Sequence, residues 1–308
     1  MSEQLSHIGD MAASFYMQMA HWNIVTWFLV CGAVFMSLAV LFPSKRDQPL
    51  IHKGMIPDTL YWFFSGPLLY VKVNVLINRG LVALVLALGI YTTADMANFN
   101  AGVAPLNKLP VLAQAFLILL IMDFMQYWTH RMFHTMHFWK FHSIHHSPKN
   151  VDWLTSVRFH PVNIIIHSTM VGAVVYMLGF SAEAWAVLLP FNMIYSPLVH
   201  ANVNWTYGPF RYFLASPTFH RWHHTHMAEG GSKNFAPTFP FLDILFGTYY
   251  DPKDKRPTVF GAEHDDIPEN VLDQLAYPFI KKRKKVRADN GEVRDQDQGL
   301  DALRGSDA

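Results

Sequence analysis

The sequence predicts an all-α integral membrane protein with about four to five transmembrane helices and a cytoplasmic, histidine-rich helical cap. Three observations predict it. Hydrophobic residues make up 51% of the 308 and charged residues only 15%, against about 25% charged in an ordinary globular domain. Uncharged apolar runs approach the roughly 20 residues needed to cross a ~30 Å hydrocarbon core. Most of the seventeen histidines gather just past the ends of such runs.

Charge and cysteine content exclude several classes. With 24 basic and 23 acidic residues the net charge is +1, which gives no basic face for nucleic acid. The single cysteine, Cys31, rules out an internal disulfide framework and cysteine-ligated iron–sulfur clusters. It lies in an apolar run and reads as a small apolar side chain. The 15% of Trp, Tyr and Phe suits a chain with two membrane interfaces to anchor.

The elements follow in order. Residues 1–10 are polar without a basic stretch, so no cleaved signal peptide is expected. Residues 23–42 carry no charge and form the first span. Lys45, Arg46 and Lys53 hold its exit in the cytoplasm by the positive-inside bias. Residues 57–93 are apolar but broken by Ser65-Gly66-Pro67, Lys72, Asn74, Asn78 and Arg79. They read as one interfacial or re-entrant piece and one crossing near residues 75–93, a parity that keeps the later histidines cytoplasmic. Residues 109–128 make the next span and lead straight into the first histidine cluster. Residues 162–180 and 184–199, joined by Ser181-Ala182-Glu183, form a helical hairpin that dips in and returns to the same side. Residues 200–278 are richer in Pro and aromatics and form a cap at the membrane surface. The basic run Lys281-Lys282-Arg283-Lys284-Lys285 reads as a solvated cytoplasmic tail, with contact to anionic lipid as the alternative. The polar residues 286–308 have little to pack and are expected to be disordered. The chain thus divides into an N-terminal membrane region, 1–108, a catalytic region, 109–280, and a tail, 281–308.

Three histidine patterns carry chemistry. They are His130-Arg131-Met132-Phe133-His134, His142-Ser143-Ile144-His145-His146 and His220-Arg221-Trp222-His223-His224. Residues three and four apart share a helix face, so each pattern aims its imidazoles one way. Eight imidazoles suffice for two metals at about four each. Imidazole suits Zn, Cu, Fe and Ni alike, and the zinc-protease pattern HExxH is absent. Two metals beside a membrane point to redox chemistry on a membrane substrate. The alternative is a histidine-rich metal transporter or metal-binding membrane protein. A transporter would place its ligands at mid-membrane on crossing helices, whereas these patterns lie past the span ends.

Two divalent ions held only by neutral imidazoles carry about +4, which is costly near a low-dielectric membrane. Asp123 lies seven and eleven residues before His130 and His134, and is expected to look along their face as an outer carboxylate. Asp243 and Asp152 are further candidates. His137, His160 and His226 are expected to orient ligands by hydrogen bonding or to lie at the surface, and His167 to be a hydrogen-bonded residue within a span.

Together these motifs resemble the fatty acid hydroxylase superfamily, also called the sterol desaturase family. The likeness runs over roughly residues 109–250. Beyond the histidine patterns it rests on Arg158-Phe159-His160-Pro161, on His200-Ala201-Asn202-Val203 and on Leu242-Asp243-Ile244-Leu245-Phe246-Gly247-Thr248. The resemblance implies an integral-membrane di-iron hydroxylase or desaturase. It implies His130, His134, His142, His145, His146, His220, His223 and His224 as iron ligands, with His200 as a ninth. Some relatives carry a further histidine where this chain has Asn204. The resemblance also implies two iron ions, O2 as co-substrate and a lipid drawn from the bilayer. Sterols, fatty acyl chains, sphingolipids, alkylglycerols and aminolipid head groups all fall within its range. Electrons are expected from a ferredoxin, a cytochrome b5-like protein or a flavin reductase fed by NAD(P)H, because the chain has no GxGxxG fingerprint and no cysteine cluster. By analogy the location is a bacterial inner membrane, with the histidines and C-terminus cytoplasmic.

Overall fold

A computed structural model describes residues 24–64, 71–97, 106–262, 267–280, 285–287 and 293–295. The polar N-terminus, the Ser65-Gly66-Pro67 break and most of the basic run lie outside these residues. The helices are α1 (Ile24–Leu41), α2 (Met55–Phe64), α3 (Val71–Ala87), α4 (Thr93–Ala97), α5 (Val111–Phe133), α6 (Met136–His146), α7 (Pro161–Leu178), α8 (Ala182–His200), α9 (Pro217–His223), α10 (Phe241–Leu245) and α11 (Val271–Ala276).

Helices α1 and α5 are long and apolar enough to cross a membrane, with mean hydropathies of 2.4 and 1.6. Both come from apolar runs of the sequence, the first uncharged and the second broken only by Asp123 up to Trp128. Helix α5 continues five residues past the expected end at Trp128, and that extension carries His130 into the metal region. Helix α3 stops at Ala87 rather than running to residue 93, because Gly89 takes a left-handed φ of 67°. Only a residue without Cβ does this freely. The apolar pair at residues 162–180 and 184–199 is present as α7 and α8, joined by Ser181, whose hydroxyl caps α8 at the N–H of Ala184. The count of four to five crossings rests on the sequence; two helices meet the length and composition criterion among the described residues.

Part of the tail departs from the expected disorder. Lys285–Arg287 (β1) pairs antiparallel with Val293–Asp295 (β2), Lys285 lying opposite Asp295.

Two apolar clusters support the site. In the first, Trp153 sits against Phe28, Phe35 and Trp62, with ring centroids 5.5, 6.3 and 5.4 Å away. Cys31, Leu154, Ala201 and Val203 complete it, so the lone cysteine is a core side chain as read. In the second, Ala115 and Ile118 of α5 meet Val171 of α7 and Ala184 and Leu188 of α8. The exit of α1 is stitched to the segment after α8. Asn204 donates its N–H to Phe42, and the Asn202 amide bonds both main-chain groups of Lys45. A buried ion pair, Asp58 with Arg158, ties α2 to the stretch before α7.

Candidate metal centre

Four segments bring nine imidazoles together. The end of α5 supplies His130 and His134, α6 supplies His142, His145 and His146, the last residue of α8 is His200, and α9 with its C-cap supplies His220, His223 and His224. Ser216 caps α9 by accepting from the N–H of Phe219, and Pro217 opens the helix, a start that suits its fixed φ and missing N–H.

The nine fall into two groups. His130, His134, His142, His146 and His223 form one, and His145, His200, His220 and His224 the other, with the nitrogen atoms of each group within 4.8 Å of one another. The groups abut: the His145 and His146 rings lie 4.6 Å from the His224 ring. Every ligand predicted from the sequence is in one of these groups.

Hydrogen bonding turns the rings so that Nε2 points inward. His130 Nδ1 donates to the Phe235 carbonyl at 2.8 Å, and His223 Nδ1 to the Lys233 carbonyl at 2.7 Å. His145 Nδ1 donates to the Arg158 carbonyl at 3.2 Å, and His200 Nδ1 to Ser196 at 2.7 Å. The Asn163 carboxamide meets His142 Nδ1 at 3.2 Å, and turning its oxygen to the ring gives the same arrangement. A ring whose Nδ1 carries the proton presents a lone pair at Nε2. The Nε2 atoms of His130, His142, His146 and His223 are buried without a protein partner, as are both nitrogens of His134. Burying such acceptors unpaired costs about 1–3 kcal/mol each.

The second group is more pointed. His145 Nε2 and His200 Nε2 face each other at 3.4 Å, both as lone pairs. His220 Nε2 lies 2.9 Å from His200 Nε2 and 3.2 Å from His224 Nε2. Metal–imidazole bonds of about 2.1 Å place ligand nitrogens roughly 3.0 Å apart at right angles and about 3.4 Å apart in a tetrahedron. A cation between these atoms turns mutual repulsion into ligation, so the donor set fits a metal ion in each group.

Burial sets the protonation states. Desolvation first, then neighbouring histidines, holds His142, His145, His146, His220 and His224 well below the usual imidazole range. His223 is likewise pushed down, by desolvation first and His130 next. Ligation needs the neutral ring, and burial already supplies it.

The remaining sequence candidates lie elsewhere. Asp123 does not face the imidazoles. Its two oxygens accept the N–H groups of Thr238 and Phe239 at 2.7 and 2.8 Å, because the loop before α10 packs on that side of α5 and needs its donors satisfied. Asp152 caps Leu154 and meets His52 at 2.7 Å. His137 is exposed on α6. His160 bonds Leu275 and Val162, His167 meets Thr129, and His226 opens the turn Met227–Gly231. Asn204 is engaged through its main chain, as above.

Four residues to which the sequence assigns no role support the ligands. Asn163 orients His142. Asn234 adopts φ 58° and bonds Phe219 and Tyr250 through its side chain. Arg221 is fully buried, donates to Val151 and Gln48, and lies 4.6 Å from the Phe260 ring. Desolvation lowers it to about 9. Arg158 provides the carbonyl for His145.

A fatty acid hydroxylase family profile matches residues 115–248, the stretch holding all nine histidines. The chain is similar to an ornithine lipid hydroxylase of Rhizobium tropici, 27% identical over 220 residues, which are 69% of this chain and 66% of that protein. It is similar to the alkylglycerol monooxygenase of Homo sapiens, 30% identical over 158 residues, 51% of this chain and 34% of that protein. A very-long-chain aldehyde decarbonylase of Oryza sativa is 30% identical over 152 residues, 47% of this chain and 56% of that protein. The match thus spans just under two thirds of the bacterial relative's length and about a third of the human one's. No solved structure matches the chain.

Proposed function

We propose that the chain is a member of the fatty acid hydroxylase superfamily and a membrane-bound, O2-dependent di-iron enzyme that hydroxylates a lipid. The observation that carries the reading is the pair of abutting imidazole groups: in one the inward Nε2 atoms of His130, His134, His142, His146 and His223 lack protein partners, and in the other the Nε2 atoms of His145, His200, His220 and His224 face one another. His130, His134, His142, His146 and His223 would hold one iron, and His145, His200, His220 and His224 the other. Iron bound there supplies the activation of oxygen needed to attack an unactivated C–H bond.

The chain's own residues do the rest. Main-chain carbonyls of Ser196, Lys233 and Phe235 fix ring orientation and keep the proton on Nδ1. Phe159 stacks on His145 at 4.2 Å, and Trp139 lies 5.1 Å from His134. These rings keep water from the imidazoles and lower the local dielectric. His130 and His134 retain partial exposure, and the apolar face of α5 leads to them through exposed Phe124 and Trp128. A lipid chain would approach along that face. Two relatives are named for oxidising polar-headed lipids, ornithine lipid and alkylglycerol, so a lipid of that kind is the first substrate class to test. Hydroxylation is the first outcome to look for and desaturation the second. Electrons come from a separate NAD(P)H-fed ferredoxin, cytochrome b5-like protein or flavin reductase. The site sits on the cytoplasmic face of a multi-pass protein, which the positive-inside bias supports.

The metal-transporter reading fits less well. Transport calls for ligands along crossing helices, whereas these nine cluster at helix ends and on the short helices α6 and α9. The test is to incubate the iron-loaded protein with a reductase system, membrane lipids and isotopically labelled O2. The expected result is one labelled oxygen in a lipid class, absent from a His220→Ala, His223→Ala double variant. Sustained turnover of reductant with no oxygen entering any lipid would overturn the reading.

A further inference from the structure

The ligand shell holds only neutral imidazoles, yet a carboxylate lies one peptide group away from one of them. Asp243 of α10 is fully buried. Its Oδ2 accepts the N–H of Ala236 at 2.9 Å. The carbonyl of that same peptide unit, the Phe235 C=O, accepts Nδ1–H of His130 at 2.8 Å. Carboxylate, peptide, imidazole and the inward Nε2 therefore form one unbroken line. Asp243 Oδ1 accepts two more donors, the Phe235 N–H at 2.8 Å and the Thr248 hydroxyl at 2.7 Å.

The line continues behind the carboxylate in one direction only. Arg131 donates to the Tyr127 hydroxyl at 3.1 Å, Tyr127 donates to Thr248 at 2.9 Å, and Thr248 donates to Asp243. Every contact of Asp243 is an acceptor contact, which suits the ionised form. Aligned hydrogen bonds polarise one another in a low dielectric. A carboxylate behind a metal-bound histidine raises the ligand's basicity. The four-histidine group has no such arrangement: His145 bonds Arg158 C=O, whose partner N–H on Phe159 goes to the Val157 carbonyl, and His200 bonds its own helix.

We propose that Asp243 is a positioning residue that acts through the Phe235–Ala236 peptide on His130, strengthening metal binding in the five-histidine group alone and making the two metal positions unequal. The inference rests on the nine-histidine centre and is independent of which lipid, if any, is oxidised.

Asp123 is the internal control. It is an equally buried carboxylate that accepts two N–H groups of the same loop, from Thr238 and Phe239, but no histidine lies on those peptides. Anaerobic titration of the metal-free protein with 57Fe(II), read by bound iron and by Mössbauer spectra, tests the proposal without turnover. In Asp243→Asn one of two iron populations should weaken about 10–100-fold, the range typical of lost outer-shell partners, while the other keeps its affinity and spectrum. Asp123→Asn should leave both affinities within about threefold by the same measure. Thr248→Val, which keeps the carboxylate, should give an intermediate shift confined to the same population and serves if Asp243→Asn does not fold. Equal weakening of both populations, equal effects of Asp243→Asn and Asp123→Asn, or no effect of either Asp243→Asn or Thr248→Val would overturn it.

Discussion

The Asp58–Arg158 pair makes a sharp test of how the membrane-side helices hold the metal centre. Asp58 is fully buried and Arg158 is 4% exposed. The guanidinium also donates to the Gly54 carbonyl at 2.9 Å and to Ser147 at 3.0 Å, and the Arg158 carbonyl orients His145. Replacing Asp58 with Asn keeps the shape but leaves a buried cation without its counter-charge. Breaking a buried pair in this way costs about 3–5 kcal/mol. Urea unfolding in detergent micelles, followed by tryptophan fluorescence, should show a loss of that size in Asp58→Asn. The double variant Asp58→Leu, Arg158→Met should recover most of it, since an apolar pair of similar volume removes the orphaned charge. Iron affinity of the four-histidine group should fall in the single variant through His145. A loss below about 1 kcal/mol for Asp58→Asn, or a double variant no more stable than the single, would refute the reasoning.

Other outcomes follow from the same geometry. Trp153→Ala empties the contact point of Phe28, Phe35 and Trp62 and should cost about 3–5 kcal/mol by the same unfolding assay. The metal-free protein should lose stability as pH falls. His142, His145, His146, His220, His223 and His224 hold their protons less tightly folded than unfolded. Their contribution is therefore present above the unfolded value near 6.5 and is lost as pH drops below it, by at most about 1.4 kcal/mol per pH unit for each histidine. Denaturation midpoints measured from pH 7.5 to 5 check this, and a flat profile would contradict it.

Helix α1, helix α5 and the hairpin α7–α8 were legible in the sequence because long apolar runs and a Ser-Ala-Glu break record them directly. The eight box histidines were legible because spacing of three and four fixes a common helix face. His200 came only through the family resemblance; its partners arrive from two other segments, α6 and α9 with its C-cap. How the nine divide was hidden. His142 and His146 join one group while His145, between them, joins the other, since successive residues of a helix diverge by about 100°. Asp123 departs from the expected outer-carboxylate position for a related reason. Its spacing from His130 fixes a helix face, but the loop before α10 covers that face and takes both oxygens. Asp243 stood in the sequence as one carboxylate among three, and nothing local to it records the peptide that links it to His130. Helix α3 ends six residues before the apolar run does, because hydropathy continues through Gly89 while the backbone there turns left-handed.

Nine buried imidazoles holding two redox-active metals in abutting positions underlie every functional statement above. Anaerobic iron loading of the folded protein, with iron counted by elemental analysis and the spin state read by Mössbauer spectroscopy, tests it most directly. Two irons per chain are expected, magnetically coupled once oxidised, with about one retained when His145 and His220 are both replaced by Ala. A well-folded protein that binds one iron or none, or two that are magnetically isolated, would contradict it.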